Sequence, residues 1–490
     1  MGTIKKSEEN IVQDEISNWS SFEKISFRFA FIFIALLVIP VKLSWYKELF
    51  PIKSLYDILS KIAGYRPSFI EVASESGKWG LASFSTWGVA ALIGLVGAAV
   101  WTILVRNKKI ANYNVLYYWL RVITRYRVAI GIIAFGYLKL YPMQMPFPSI
   151  TNLNTELGDY AQFKLYWQAV GVSLWYQIFL GLLEIGAGLL MFFRATTALG
   201  AILNAGVLYN IAHANIAYDG GVHVYSGYFV LLSAFLLVYY APAIWKLFIK
   251  KENVKPNYYY PKLKSTGQKL AFYGSKYLFI FLFVFVYGYY RYDLHYNSAR
   301  LKEPVIPGLP NAEGNYEVSS FALNGDTIPY TPQDSVRWHS AIFERYSTLA
   351  YKVHKAFKID ISNGVPQPQD ILRKYELTGR AGGWRYLYYE IDSANHQIYL
   401  VDKNQEFSKK LFKGQKDVAV GLKKLYKTAI RDSIGILKWD YKRPVNGEII
   451  IAGLINKKDS VHIVLNKFKK DYPIGQGWYT KNNLYTYVSN

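Results

Sequence analysis

The chain has 490 residues, no cysteine, and 57 Lys and Arg against 34 Asp and Glu, a net charge of +23. Zero cysteine excludes disulfides, thiol nucleophiles, CxxC pairs, c-type haem attachment and cysteine-held iron–sulfur or zinc, so a redox role must use a bound cofactor. Hydrophobic residues make up 52%, yet mean hydropathy is only slightly positive, because the apolar runs fall almost entirely before residue 290.

Residues 1–24 are polar and mixed in charge and read as a cytoplasmic tail. No small-residue cleavage site follows, so this is not a secretory signal. Apolar runs then recur over 27–46 (broken late by Pro40), 85–105, 113–141, 171–193, 197–217 and 224–245. The last run has its apolar heart at 277–290 and reaches spanning length only if it begins near Leu270. Each approaches the roughly 20 residues that cross a bilayer, which gives about seven spans over a helical domain at 25–290. Arg106–Lys109, Arg194 and the Lys-rich linker 246–269 orient the N-terminus into the cytoplasm, against Lys47, Lys53, Lys61 and Arg66 in a longer loop. GLVGAA, GLLEIGAG and ALGAILNAG predict close helix packing through small residues.

After residue 291 the pattern becomes alternating. NYEVSSFAL ends on Asn324-Gly325, WRYLYYEID and QIYLVD form a hairpin, and GILKWDYK, GEIIIAGLI and SVHIVLNKF follow. These predict an antiparallel β-rich, lipocalin-like or small-barrel domain over 291–490, outside the cytoplasm, with a helical interlude at VAVGLKKLYKTAI. Within it His339, His354, His396 and His462 are scattered and form no catalytic motif.

Ionisable residues within spans mark functional sites. Glu184 lies just past the middle of the fourth run and needs a partner, with Lys139, Arg125 and Arg127 on the third run as candidates. A second group gathers at the outer ends of the spans: Lys139, His213, Asn215, Asp219 and His223, with Gln144, Glu156 and Asp159 in the loop 142–160. Two imidazoles, an ammonium and carboxylates there would suit a quinone headgroup, whose carbonyls accept hydrogen bonds and whose reduction takes up protons. His213 and His223 flank one turn, whereas b-type haem is normally held at matched depth on facing helices. Transport ranks last, since only Glu184 approaches the midplane and no inverted repeat is visible.

Over about 113–250, the ordered runs GYLKLYPMQMPFPS, LGD, GLLEIGAGLLMFFRATTALGA and NIAYDGGVHVYS resemble the DoxX-like membrane family. The likeness is to long Bacteroidetes-type versions whose C-terminal β domain ends much as this chain does, with GQGWYTKNN. Short DoxX and DoxD relatives are associated with a thiosulfate:quinone oxidoreductase and other membrane redox assemblies, so the resemblance implies a quinone-linked subunit with a partner protein. By motif it carries over Lys139, Gln144, Glu184, Arg194, Asn215 and Asp219; His223 stands where a lysine is expected. The competing expectation is a non-enzymatic scaffold or envelope-assembly factor whose β domain binds a partner protein or lipid. Bacterial inner-membrane localisation and contact with anionic headgroups, not nucleic acid, follow from either.

Overall fold

The structure, a computed structural model, describes residues 18–52, 54–68, 70, 81–254, 259–261, 263–297, 301–407, 409–412, 417–444, 447–455 and 458–475. Most of the expected tail (1–17) and the final GQGWYTKNN run from 476 onward lie outside them. The chain forms two compact units, Met1–Leu140 with Phe179–Arg291, and Tyr141–Ile178 with Tyr292–Asn490. Residues 141–178, expected within the helical domain, therefore belong with the β domain.

The first unit is helical: α1 (Ser21–Val38), α2 (Leu43–Lys47), α3 (Leu55–Ala63), α4 (Ser85–Leu104) and α5 (Asn114–Leu140) precede the second unit's α6 (Ile150–Leu153) and α7 (Gln162–Gly171). α8 (Leu174–Met191), α9 (Thr197–Ala217), α10 (His223–Val238), α11 (Ala241–Phe248), α12 (Thr266–Ile280), a π-helical segment at Phe281–Val286 and α13 (Tyr287–Tyr296) follow. Five stretches are long and apolar enough to cross a membrane, namely Ser21–Lys47, Ala82–Leu104, Leu174–Met191, Arg194–Ala217 and Thr266–Tyr296. Counting the bent pair α10–α11 as one gives six, fewer than the seven expected.

The difference has two physical sources. α5 forms, but Arg121, Arg125, Arg127 and Lys139 make it too polar for a lipid-facing span, and it is an extensively buried helix instead. The sixth run breaks at Tyr239–Tyr240 into helices 73° apart, with Pro242 in the first turn of α11, where the missing N–H does least harm. The last run is the reverse case: Ser265 and Gln268 form a capping box, so the helix starts at Thr266, earlier than its apolar heart suggests. Large apolar side chains such as Leu92, Ile103, Phe179, Leu199 and Phe285 stay exposed on these helices, an apolar surface of the kind that suits contact with lipid.

The second unit carries β1 (Gly314–Leu323), β2 (Asp326–Thr327), β3 (Ser340–Phe343), β4 (Thr348–Lys352), β5 (Trp384–Asp392), β6 (Gln397–Asp402), β7 (Leu437–Lys442), β8 (Glu448–Leu454) and β9 (Ser460–Phe468). Strands β1 and β3–β9 pair antiparallel in sequence order and β9 returns to β1, an eight-stranded up-and-down barrel. Closure removes the open sheet edges. Asn324 and Gly325 both take positive φ, the two-residue turn expected there. The helical interlude is realised as α14 (Leu422–Leu425) and α15 (Ile430–Ile434).

Alternate residues from every main strand point inward, among them Tyr316, Phe343, Tyr389, Leu400, Trp439, Ile451 and Ile463, and they pack into one core. An eight-stranded barrel is narrow enough for side chains to fill, and this one is filled. The outer face of β5 and β6 is covered as well: Tyr388, Tyr399 and Val401 pack against Phe412, Val420, Leu422 and Ile434.

Candidate functional site

The close approach of α5 and α8 is made by glycine. A Cβ on Gly181 would lie 2.6 Å from the Leu140 nitrogen and 2.7 Å from the Gly136 carbonyl oxygen. This is the small-residue packing that GLLEIGAG predicts. It brings Lys139 and Glu184 together: the ammonium donates to both carboxylate oxygens at 2.8 Å, with Lys139 4% and Glu184 1% exposed. Both charges are taken out of water and compensate each other, so loss of either strands its partner.

Arg125 and Arg127 have other partners. Arg125 Nη1 donates to Thr197 Oγ1 at 3.1 Å. Arg127 donates to the Ala63 and Tyr65 carbonyls at 2.9 and 2.5 Å and to the Tyr225 and Tyr228 hydroxyls at 3.3 Å each. The Ala63 carbonyl ends α3, where helix carbonyls lack intrahelical partners and the dipole favours a cation. Arg28 is also held by neutral oxygens, those of Tyr113 and Thr102, at 3.0 and 2.6 Å.

The remaining expected residues play local parts. Asn215 is buried and donates to the Ile211 carbonyl at 2.7 Å, while its own carbonyl accepts from the Gly220 N–H at 2.9 Å. With Asp219 and Gly221 at positive φ, it forms the turn between α9 and α10. Asp219 is exposed. His213 is also exposed and stacks on Tyr209 at 6.4 Å. His223 is buried, 3.4 Å from Ser83 Oγ and edge-on to Phe84. Gln144 lies in the second unit, and its enclosed Oε1 has no hydrogen-bond partner among the described residues. Among the described residues, the hydrogen-bonded pair within the expected set of seven is Lys139 with Glu184.

Two cavities in the helical unit are lined by other residues. The larger, about 400 Å³, is walled by Trp45, Trp119, Ile123, Tyr126, Phe272 and Phe279, with Arg127, Ser275 and Lys276 as its polar groups. The smaller is a cleft of about 30 Å³ lined by Arg121, Arg125, Arg194 and Thr197 together with a cluster of tyrosines. Neither site is a motif in the sequence. The signal available was α5's run of arginines on an otherwise apolar helix, and the partners come from helices more than 60 residues away.

The loop 141–178 is built into the barrel unit. Glu344 accepts the Ile150 and Thr151 N–H groups at 3.0 and 2.9 Å, Ala161 N–H donates to Gly379 O at 3.0 Å, and Lys164 Nζ donates to Tyr375 O at 2.5 Å. Asp159, a candidate pocket residue, accepts through its carbonyl from Ala381 N–H at 2.8 Å. Glu156 instead pairs with Lys352 at 3.2 Å. Burial holds the Lys164 ammonium well below the ordinary lysine range and pushes Lys302 down to about 7. Lys302 sits 4.7 Å over the Trp167 ring and donates to Asn363 O at 3.1 Å.

No family model, curated protein or solved structure matches the chain. Among the described residues there is no cluster of His, Asp or Glu able to hold a metal.

Proposed function

We propose that this is an inner-membrane protein of DoxX-like type whose helical unit binds a lipid-soluble quinone and serves a redox assembly. The observation that carries this reading is the aromatic-walled cavity of about 400 Å³ beside Arg127 and Lys276. Such a site suits a flat ring with a carbonyl acceptor and an apolar tail: mostly apolar walls for the ring and the Lys276 ammonium as donor for its oxygen, since Arg127 spends its donors on carbonyls and hydroxyls. The ligand position thereby moves away from Lys139, whose ammonium is already engaged by Glu184.

Chain continuity supports the orientation. Residues 141–178 and 292 onward fold together as one unit, so the end of α5, the start of α8 and the end of α13 share one side. An even number of crossings must separate them. α8, α9, the bent pair α10–α11 and α12–α13 make four only when the bent pair counts as a crossing. With α5 added as a crossing sheltered in the bundle, the seven spans return. The α4–α5, α8–α9 and α11–α12 loops then share the other side. They carry Arg106, Lys108, Lys109, Arg194 and the 246–269 lysines, as cytoplasmic loops do, which leaves the barrel outside the cytoplasm.

Mass spectrometry of small molecules extracted from gently purified protein tests the ligand. A stoichiometric quinone is expected, reduced at least severalfold in Trp119→Val with the fold retained. Bulk phospholipid alone in both proteins would sink the quinone reading. The scaffold reading is favoured by one observation, the filled barrel interior, since recognition there would use the outer surface. It predicts that Trp119→Val is harmless to function while surface changes in 300–475 are not.

A further inference from the structure

The small cleft in the helical unit gathers positive charge without an acid to balance it. Arg121 and Arg125 lie one turn apart on α5, so both point to the same side. Arg194 comes from the turn after α8, and Thr197 begins α9; all four line the cleft. The guanidinium carbon of Arg121 lies 3.4 Å from the Tyr239 ring centre, and that of Arg194 lies 4.0 Å from Tyr260. Arg125, 7% exposed, bonds Thr197 through Nη1.

These contacts leave donors unused. The enclosed Nε groups of Arg121 and Arg125 have no hydrogen-bond partner among the described residues. No carboxylate among the described residues forms an ion pair with Arg121, Arg125 or Arg194. Other buried arginines of this unit differ: Arg28 and Arg127 spend their donors on hydroxyls and carbonyls. Stacking on tyrosine faces holds the guanidiniums in place and compensates their charge weakly. The N-terminal end of α9, a helix of 21 residues, adds partial positive charge at Thr197.

We infer that Arg121, Arg125 and Arg194 form a binding site for a phosphate group. Guanidinium forks match phosphate oxygens in geometry, and a group of charge −1 to −2 offsets three crowded cations where one carboxylate would not. The phosphate can belong to a phospholipid headgroup or be free in solution. This cleft shares Val122 with the wall of the quinone cavity, but Arg121, Arg125 and Arg194 line the cleft and not that cavity, so the phosphate site stands without the quinone reading. Under the orientation proposed above, it lies at the end of the bundle that faces anionic cytoplasmic lipid.

The test uses the full chain in detergent with dimyristoyl phosphatidylglycerol, dimyristoylglycerol (the same chains without phosphate) and sodium phosphate as probes. Native mass spectrometry is expected to show one retained phosphatidylglycerol per chain and no comparable retention of dimyristoylglycerol. Arg194→Gln should weaken that retention about tenfold, the scale of one charged hydrogen-bonding partner. Arg194 is solvent-exposed, so this variant keeps its fold where Arg125→Gln need not. Arg106→Gln, which removes an exposed cation in the connection between α4 and α5, should leave retention unchanged. If sodium phosphate raises the melting temperature of the wild type but not of Arg194→Gln, and phosphatidylglycerol is not retained, the ligand is a free phosphate. Saturable binding of neither probe, or equal loss in Arg106→Gln, overturns the site.

Discussion

The helical unit and the barrel unit both bury charge, but they balance it differently. In the helical unit the buried cations are Arg28, Arg125, Arg127 and Lys139, and among the described residues Glu184 is the buried carboxylate that faces them. Three of the four rest on hydroxyls and carbonyls. The barrel unit buries Lys164, Lys302, Arg337, Arg373, Arg380 and Lys403 along with Glu344, Asp370, Glu376 and Asp392. There, Arg373 pairs with Asp370 at 2.7 Å with both side chains fully enclosed, and Lys403 pairs with Glu376. A cation on neutral oxygens can be neutralised by substitution without stranding a charge; a paired one cannot. In the barrel unit, too, Lys164, Lys302, Arg337 and Arg380 donate to backbone carbonyls, so the difference lies in the supply of acid. Among the described residues, Glu184 alone faces the four buried cations of the helical unit, whereas Glu344, Asp370, Glu376 and Asp392 are buried with the six of the barrel unit.

Substitutions can break this contrast. Lys139→Met and Lys403→Met, which strand Glu184 and Glu376, should each cost about 3–5 kcal/mol. Most of the Lys139 loss should return in Lys139→Met/Glu184→Met. Arg127→Gln, which frees only carbonyls and hydroxyls, should cost about 1–3 kcal/mol. Denaturant or thermal unfolding of the full chain orders the variants. Equal costs for Lys139→Met and Arg127→Gln would erase the distinction.

A smaller effect is a pH slope in the barrel unit. Lys302 falls to about 7 in the fold from about 10.4 in a free chain. Between those values the unfolded chain binds the extra proton, so stability should rise as pH climbs from about 7 towards 10 and stay flat below 7. Lys302→Met should be more stable than wild type at pH 7, and the gap should close towards pH 10. A melting-temperature difference independent of pH would show that Lys302 is not held neutral by burial. Lys164, shifted in the same direction, contributes the same sign in both proteins. The smallest effect belongs to the surface pair Arg385–Asp402 at 2.7 Å: Arg385→Gln should change stability by less than about 1 kcal/mol, and less again at high salt.

Much of the architecture is legible in the chain. The capping box at Ser265–Gln268, the Asn324-Gly325 turn and the alternation from 384 to 402 are local signals, and each element forms where its signal lies. Strands β3 and β4 are short and lack turn punctuation of that strength, so they emerge only as the barrel closes. The pairing of Lys139 with Glu184 was one of three candidates in the sequence; the glycine contact between α5 and α8 selects it. His213, Asn215, Asp219 and His223 fall together in sequence, yet Asn215 and Asp219 build a turn and the two imidazoles find different neighbours.

By itself, the sequence determined the long apolar helices and the strands β1 and β5–β9, that several helices are apolar enough for a bilayer, and that cysteine chemistry is excluded. These follow from local periodicity and composition, which need no distant partner. Tertiary structure decided that residues 141–178 join the barrel unit, that the barrel closes and fills, and that arginines from separate helices surround one cleft. Those outcomes depend on contacts between residues far apart in the chain, where packing and charge compensation choose among partners the sequence leaves equivalent.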